Sequence, residues 1–195
     1  MDYINQIEEY LNYEINTLKK LDKNKINEVI NLLEDTRNKN KSIYVFGNGG
    51  SAATASHMQN DFNKGVSEHI DKKYRFHCLN DNIATIMAIA NDISYDEIFR
   101  FQLNGVLDKD DLVIAISGSG NSRNILNAVD YAKNIGCRII GITGYDGGKL
   151  GKVCTHHLNV PINSMQITED VHMIFDHMIM SVLYKVLCNK EHISK

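Results

Sequence analysis

The sequence predicts an α/β fold, a three-layer doubly wound sandwich around a five-stranded, mostly parallel sheet. Two observations predict it: short apolar runs rich in β-branched residues alternate with stretches of helical periodicity, and two of these runs end in glycine- and serine-rich turns. Continuous apolar runs are typical of parallel strands that helices cover on both faces. With 195 residues, 43% of them hydrophobic, the chain is long enough for one domain with a sizeable core.

Two helices are predicted before the first strand. Residues 2–38 show helical periodicity, which is interrupted near "LDKNK". Each helix carries an apolar stripe, formed by Ile4, Ile7, Leu11, Ile15 and Leu18 in the first and by Ile26, Val29, Ile30 and Leu33 in the second. The stripes pack either on the protein's own sheet or on another subunit, and the sequence leaves both open. We therefore expect a single domain, 1–195, with a helical extension at 1–38 and an α/β core at 39–195.

Strands and helices alternate through the core. We predict strands at 42–47, 74–79, 112–117, 138–143 and 157–161. Helices are predicted at 51–63, 82–90, 94–105, 122–135, 147–152 and 168–188. Because ligands of such sheets bind beyond the carboxyl ends of the strands, the turns that follow the strands are the candidates for a binding site.

The most polar of these turns, "AISGSGNSRNIL", has the composition of an anion site. Its serines and glycines are Ser117, Gly118, Ser119, Gly120 and Ser122. Glycines let backbone amides approach a ligand closely, and a helix that begins near Ser122 points its free amides and the positive end of its dipole the same way. An ordinary helix cap needs fewer hydroxyls, so the turn predicts phosphate binding.

Neither glycine-rich turn is typical of nucleotide binding. No Gly-Lys-Ser/Thr follows the serine-rich turn, and in "GNGGSA" the residue Ala52 takes the third glycine position of the dinucleotide fingerprint. We therefore expect no nucleotide cofactor.

The charge and the cysteines restrict partners and compartment. A formal net charge of −3 and a pI near 6.2 predict no nucleic-acid partner and no binding to anionic membranes. No apolar run reaches the roughly 18 residues needed to cross a bilayer, and the acidic start "MDYINQIEEYL" is unlike a signal peptide. The four cysteines form no CxxC pair, which indicates reduced thiols. We expect a cytoplasmic protein.

Two helical segments carry histidines and carboxylates. His57 and Asp61 are four residues apart, so they share one helix face, about 6 Å apart along the axis. In "ITEDVHMIFDH", Glu169 and His177 are separated by a rise of about 12 Å and about 80° of turn. They can still meet one ligand, since helical side chains lean toward the N-terminus and Glu169 is placed near the helix start.

The other polar residues near these segments are interpreted as structural. Asp170 and Asp176 are typical of an acidic helix start, which the helix dipole favours. His172 lies about 140° around the helix from His177, so we expect it to face elsewhere.

Four segments together resemble the sugar isomerase (SIS) domain family. They are "FGNGGSAATASHMQND", "AIANDISYDEIF", "AISGSGNSRNIL" and "GITGYDGGKL", in this order. Within the family they are most similar to the phosphoheptose isomerases, which convert sedoheptulose 7-phosphate to D-glycero-D-manno-heptose 7-phosphate. The resemblance covers almost the whole chain. It implies a flavodoxin-like fold, a sugar-phosphate substrate, and a homotetramer with active sites at the subunit interfaces.

The resemblance also implies roles for particular residues. The substrate would be bound by Asn48, Gly49, Ser51, Asp92, Ser117, Gly118, Ser119, Ser122 and Glu169. Catalytic groups, which in some members are also zinc ligands, would be His57, Asp61, Glu169 and His177. Of the substrate residues, Asp92 is expected at the sugar end of the ligand.

Several positions depart from the family pattern. Asp61 stands where Glu is usual, and the shorter side chain matters because a shift of about 1 Å can cost about a hundredfold in rate. Glu169 stands where Gln is usual and adds a negative charge. Gly118 replaces a frequent Thr, which predicts weaker phosphate binding, and Gly65 replaces a substrate-binding Arg, with Lys64 as the nearest cation.

A divalent metal, Zn²⁺ in the first place, is expected between the two helical segments. Two imidazoles and two carboxylates suit such an ion. The charge of Glu169 would be repelled by Asp61 unless a cation lay between them. The expected ligands are His57, Asp61, Glu169 and His177.

An aldose–ketose isomerase moves a proton between adjacent carbons through an enediol, which requires a base, an acid and stabilisation of the enediolate. We assign the base to Asp61 and the acid to His177, or the reverse. A metal-bound Asp61 would be a poorer base, so its two roles compete.

Two other functions stay open. In the first, the chain is a non-catalytic SIS module that binds phosphosugars or a protein partner. A replication-initiator-associating protein of bacteria resembles the same family. The presence of His57 and His177 argues against this function, because a binding role needs neither histidine. Alternatively, it isomerises a different sugar phosphate for surface polysaccharide, because Gly65, Gly118 and Glu169 lie where substrate selection would be made.

Overall fold

A computed structural model describes residues 1–192, with side chains up to Cys188. Within these residues the strands are β1 Ile43–Gly47, β2 Phe76–Cys78, β3 Leu112–Ser117, β4 Arg138–Gly144 and β5 His156–Val160. They form one sheet in the order β2-β1-β3-β4-β5, and every neighbouring pair is parallel. The predicted α/β fold is confirmed, and the strand order is that of flavodoxin-like sheets.

Two strands differ from their predicted ranges for identifiable reasons. The strand predicted at 74–79 is reduced to β2, which lies at the edge of the sheet and pairs with β1 alone. β5 ends at Val160 because Pro161 has no amide hydrogen to donate to the ladder.

The α-helices follow the predicted order. They are α1 Ile4–Leu18, α2 Lys23–Asn38, α3 Gly50–Asn60, α4 Ile83–Asp92, α5 Arg100–Leu103, α6 Arg123–Ile135, α7 Leu150–Val153 and α8 Met165–His192. α3 leads directly into a π-helix, Asp61–Val66, a form that is frequent at functional sites. The helix predicted at 94–105 is divided into a 3₁₀ turn, Tyr95–Glu97, and α5.

Helices cover both faces of the sheet. α2, α3 and α8 pack on one face, where Leu33, Met58 and Phe175 are buried. α4 to α7 cover the other face, where Ile125 and Leu150 are buried. The three layers hold the carboxyl ends of the central strands at one rigid edge.

The apolar stripes of the two leading helices lie in different surroundings. α2 packs on the protein's own sheet and buries Val29 and Leu33. α1 leaves Ile7 56% and Leu11 50% exposed, and it meets α8 through the Tyr10 hydroxyl, which donates a hydrogen bond to Asp170. Among the described residues, Ile4, Ile7, Leu11 and Ile15 of this stripe are exposed, and only Leu18 packs partly against the core.

α8 is the one described helix that is long and apolar enough, by length and composition, to cross a membrane. The most apolar 18-residue window within its segment Met165–Cys188 has a mean hydropathy of 1.4. Charged residues such as Asp176 and Lys185 interrupt the segment, so it is not the continuous apolar run that the sequence was expected to lack. Its apolar residues Val171, Phe175 and Ile179 are buried against the sheet, as in the central helix of a globular core.

Candidate active site

The turns that follow β1 and β3 lie side by side, because these strands pair with Gly47 opposite Ile116. Between the two turns and the start of α8 lies a cavity of about 120 Å³. It is lined by Asn48, Ser51, Ile116, Ser117, Gly118, Ser119, Ser122, Met165 and Glu169. Seven of the nine substrate-binding residues expected from sequence therefore line one cavity.

The serine-rich turn presents hydroxyl groups and the start of α6 to this cavity. Ser122 is the N-cap residue of α6, yet its hydroxyl makes no capping hydrogen bond to the first turn. Its Oγ lies 3.4 Å from the Oγ of Ser117, so two hydroxyls converge. The chain reverses at Gly120, whose φ of 62° lies in the left-handed region. Free amides, a helix N-terminus and paired hydroxyls together make an anion site.

The glycine-rich turn after β1 supplies the opposite wall. Asn48 and Asn124 exchange two amide hydrogen bonds of 2.9 Å, and the Tyr95 hydroxyl donates to Asn48 Oδ1. This network fixes the Asn48 side chain at the cavity wall. Gly49 is the N-cap of α3 and Ser51, in its first turn, is buried beside the cavity.

The first turn of α8 closes the cavity. The carboxylate of Glu169 lies over Gly50, so close that a Cβ added there would be 2.4 Å from Oε2. This position at the N-terminus of α3 favours a negative charge. Met165 lies over Gly118 in the same way, because a Cβ at Gly118 would be 2.7 Å from Sδ. A larger side chain at 118 would therefore require the flexible end of Met165 to move.

Three of the four expected metal ligands meet within one chain. The Nε2 atoms of His57 on α3 and His177 on α8 are 3.0 Å apart. Asp61, the first residue of the π-helix, places Oδ2 3.4 Å from His57 Nε2 and 3.9 Å from His177 Nε2. Two unprotonated imidazole lone pairs repel at such a distance, so either one ring donates a proton to the other or both rings face a cation.

Asp176 is the group that sequence analysis assigned wrongly. Its side chain is fully buried instead of lying at a solvated helix start, and neither carboxylate oxygen has a hydrogen-bond partner among the described residues. Burial and the nearby charge of Asp61 raise the pKa of Asp176 to about 8. Its carboxylate belongs to one cluster with His57, Asp61 and His177, whose ligand atoms lie within 4.8 Å of one another. The signal in the sequence was a carboxylate inside the apolar run "MIFDHMIM".

The cluster is open to solvent on one side only. The side chains of His57 and His177 are 42% and 54% exposed, whereas that of Asp61 is 12% exposed. Two imidazoles and two carboxylates in this arrangement match the donor set of Zn²⁺ and similar divalent ions, with the imidazoles toward the solvent. An unpartnered buried carboxylate at the back of the cluster is the observation that fits a cation best.

Other expected residues lie apart from this cluster. Glu169 lines the cavity between the two turns and is not among the clustered groups. Asp92 is exposed at the end of α4, outside the cavity lining, and accepts a hydrogen bond from Asn91. Lys64 forms an ion pair with Glu68.

Two further residues of these segments have structural surroundings. Gly65 lies against α8, since a Cβ there would be 2.9 Å from Met180 Cε. His172 is buried in the core as expected from its direction, and burial lowers its pKa to about 4, so the ring is neutral at physiological pH.

Comparison with known proteins gives relatives over most of the chain. A family model described as SIS domain matches residues 2–144. A phosphoheptose isomerase of Aliarcobacter butzleri is 38% identical over 151 residues, which cover 77% of this chain and 79% of the relative. A phosphoheptose isomerase of Helicobacter pylori is 31% identical over 165 residues, which cover 85% of each chain.

Solved structures share the fold. A phosphoheptose isomerase from Francisella tularensis superimposes with a TM-score of 0.86 at 24% identity, covering 95% of this chain and 100% of that one. The five-stranded parallel sheet with helices on both faces is common to both. The chain therefore belongs to the SIS domain family, with phosphoheptose isomerases as its relatives.

Proposed function

We propose that this protein is an aldose–ketose isomerase that converts sedoheptulose 7-phosphate to D-glycero-D-manno-heptose 7-phosphate. The single observation that carries the proposal is the cluster of His57, Asp61 and His177, formed within one chain of a family whose relatives are phosphoheptose isomerases. A protein that only bound phosphosugars would need no such set of acids and bases.

The phosphate of the substrate binds in the cavity between the two turns. Ser117, Ser119 and Ser122 donate hydroxyl hydrogen bonds, and the first amides of α6 add theirs. Asn48 and Ser51 bind from the opposite wall. Met165 and Glu169 narrow the cavity beside the phosphate, so they restrict which sugar phosphates are accepted.

The isomerisation uses one base and one acid. Asp61 removes a proton from C1 of the ketose while His177 donates a proton to the C2 oxygen, which gives the enediol. The proton carried by Asp61 then returns to C2, and His177 accepts the O1 proton as the C1 aldehyde forms. His177 suits this exchange because its side chain is 54% exposed and can therefore reach a bound substrate.

A divalent ion, Zn²⁺ in the first place, is part of this proposal. When bound, it would polarise the substrate carbonyl and stabilise the negative charge of the enediolate. His57 would hold the ion from α3, and it orients Asp61, whose Oδ2 lies 3.4 Å from His57 Nε2.

The active form is proposed to be a homotetramer with sites at subunit interfaces. The uncovered stripe of α1 supports an interface, because a large exposed apolar surface favours association. Asp92 supports shared sites, since it lies outside the cavity of its own chain and is exposed to reach a neighbouring one. Light scattering is expected to give four times the chain mass of 22.1 kDa, and a monomer would contradict the assembly.

We also place the protein in the cytoplasm. Among the described residues, Cys78, Cys137 and Cys154 are free thiols, as expected in a reducing compartment.

The test of the activity is isomerisation in D₂O, followed by NMR. We expect sedoheptulose 7-phosphate to give an aldose 7-phosphate with deuterium at C2, because the proton on Asp61 exchanges with solvent before it returns. No aldose from this ketose, together with turnover of another ketose phosphate from a panel, would favour the alternative sugar. Failure of the whole panel would leave the binding module.

A further inference from the structure

Asp176 is the most unusual ionisable group of the described chain. It is fully buried on α8, and both carboxylate oxygens lack a hydrogen-bond partner among residues 1–192. Buried carboxylates in proteins are normally paired or bound to metal, because a buried charge without a partner is strongly unfavourable. The group therefore requires either protonation or a cation.

The described groups around Asp176 offer little positive charge to balance its carboxylate. The groups that share its cluster are the imidazoles of His57 and His177 and the carboxylate of Asp61. Among the described residues, neither a lysine nor an arginine forms an ion pair with Asp176. Asp61 carries the same charge, so two carboxylates and two imidazoles converge without a fixed positive side chain.

We propose that Asp176 is a direct ligand of the divalent cation bound by His57, Asp61 and His177. It takes the position that the family resemblance gives to Glu169. This inference rests on the metal in the proposed function. All four ligand atoms lie within 4.8 Å of one another, and small side-chain adjustments would bring them to the spacing of about 3.3 Å between neighbouring ligands of a tetrahedral zinc ion.

The location of Glu169 supports the exchange of roles. Its carboxylate lies over Gly50 at the N-terminus of α3, where the helix dipole already stabilises the charge. It also lines the phosphate cavity beside Ser51 and Met165. A Glu in this place is available to the substrate and is not needed by the metal.

The experiment compares two isosteric substitutions, Asp176→Asn and Glu169→Gln, in the full-length protein. Each replaces a carboxyl group with an amide of the same shape, and only the first removes a proposed ligand. Metal-free proteins are titrated with Zn²⁺ against a chromophoric chelator. Asp176→Asn is expected to lower the zinc affinity by at least about tenfold, whereas Glu169→Gln changes it by less than about twofold. An affinity that falls only for Glu169→Gln would overturn the inference.

A second pair of variants gives a positive signal and does not depend on Asp176→Asn being folded. Asp176→Cys loaded with Co²⁺ is expected to show a near-ultraviolet thiolate-to-cobalt charge-transfer band, and Glu169→Cys is expected to lack it. The band in Glu169→Cys alone would overturn the inference. If the wild-type protein binds neither Zn²⁺ nor Co²⁺, this inference and the metal both fail, and turnover of the sugar phosphate decides separately whether the isomerase stands.

Discussion

His177→Ala is expected to lower kcat on sedoheptulose 7-phosphate by a factor of about 10²–10⁴, the usual contribution of a positioned acid or base. The ring lies on the solvent-open side of the cluster, and its Nε2 lies 3.9 Å from Asp61 Oδ2. The phosphate cavity is built from other elements, the turns after β1 and β3, so KM should change by only a few-fold. Steady-state kinetics of the isomerisation in both directions measures the separate effects on kcat and KM.

His69→Ala is the matched control for that variant. His69 is a surface histidine that packs edge-on against Tyr184 and does not belong to the cluster. Its removal should leave kcat unchanged. If His177→Ala turned over as fast as His69→Ala, His177 would have no role in proton transfer.

Gly120→Ala is expected to damage both stability and substrate binding. A Cβ at this position would lie 2.1 Å from the carbonyl oxygen of Gly147, and a backbone oxygen cannot rotate away. The left-handed φ of 62° adds strain of about 1–2 kcal/mol, and the overpacking adds about 1–3 kcal/mol. Because Gly120 lies between Ser119 and Ser122 of the phosphate turn, the shift should also raise KM more than about tenfold. Thermal unfolding and steady-state kinetics together measure the two effects.

Gly105→Ala separates the clash from the backbone strain. Gly105 also has a left-handed φ, 79°, but a Cβ there would meet no atom within 4 Å. It should lose only about 1–2 kcal/mol and keep its KM. Equal losses of stability and binding in the two variants would show that contact with Gly147 does not hold the phosphate turn.

The fold could be predicted because local signals and the global architecture agree. β3 and β4 are apolar apart from residues near their ends, as expected of strands that are buried on both faces, and each is followed by a glycine-rich turn. Residues from these turns reach one cavity because parallel strands present their carboxyl ends at the same edge. His57 and Asp61 meet because helical spacing alone brings them to one face.

The rest of the site depends on how the side chains pack, which the spacing of residues along the sequence does not determine. The helical period of 3.6 residues places Asp176 on the buried face of α8. From sequence alone a carboxylate is expected to face solvent, so its burial could be recognised only once the buried face of the helix was known. Glu169 and His177 were expected at one ion, yet the first turn of α8 lies against Gly50 and carries Glu169 to the phosphate cavity. The sequence equally did not indicate which of the two leading helices packs on the sheet.

The dependence of sedoheptulose 7-phosphate isomerisation on metal tests the central claim most directly. The D₂O assay is run on one preparation after chelation and again after addition of Zn²⁺. Turnover lost on chelation and restored by zinc is the expected result, because the cluster of His57, Asp61, Asp176 and His177 would be both the metal site and the site of proton transfer. Full turnover in verified metal-free protein would contradict this and would reduce the cluster to acid–base groups alone.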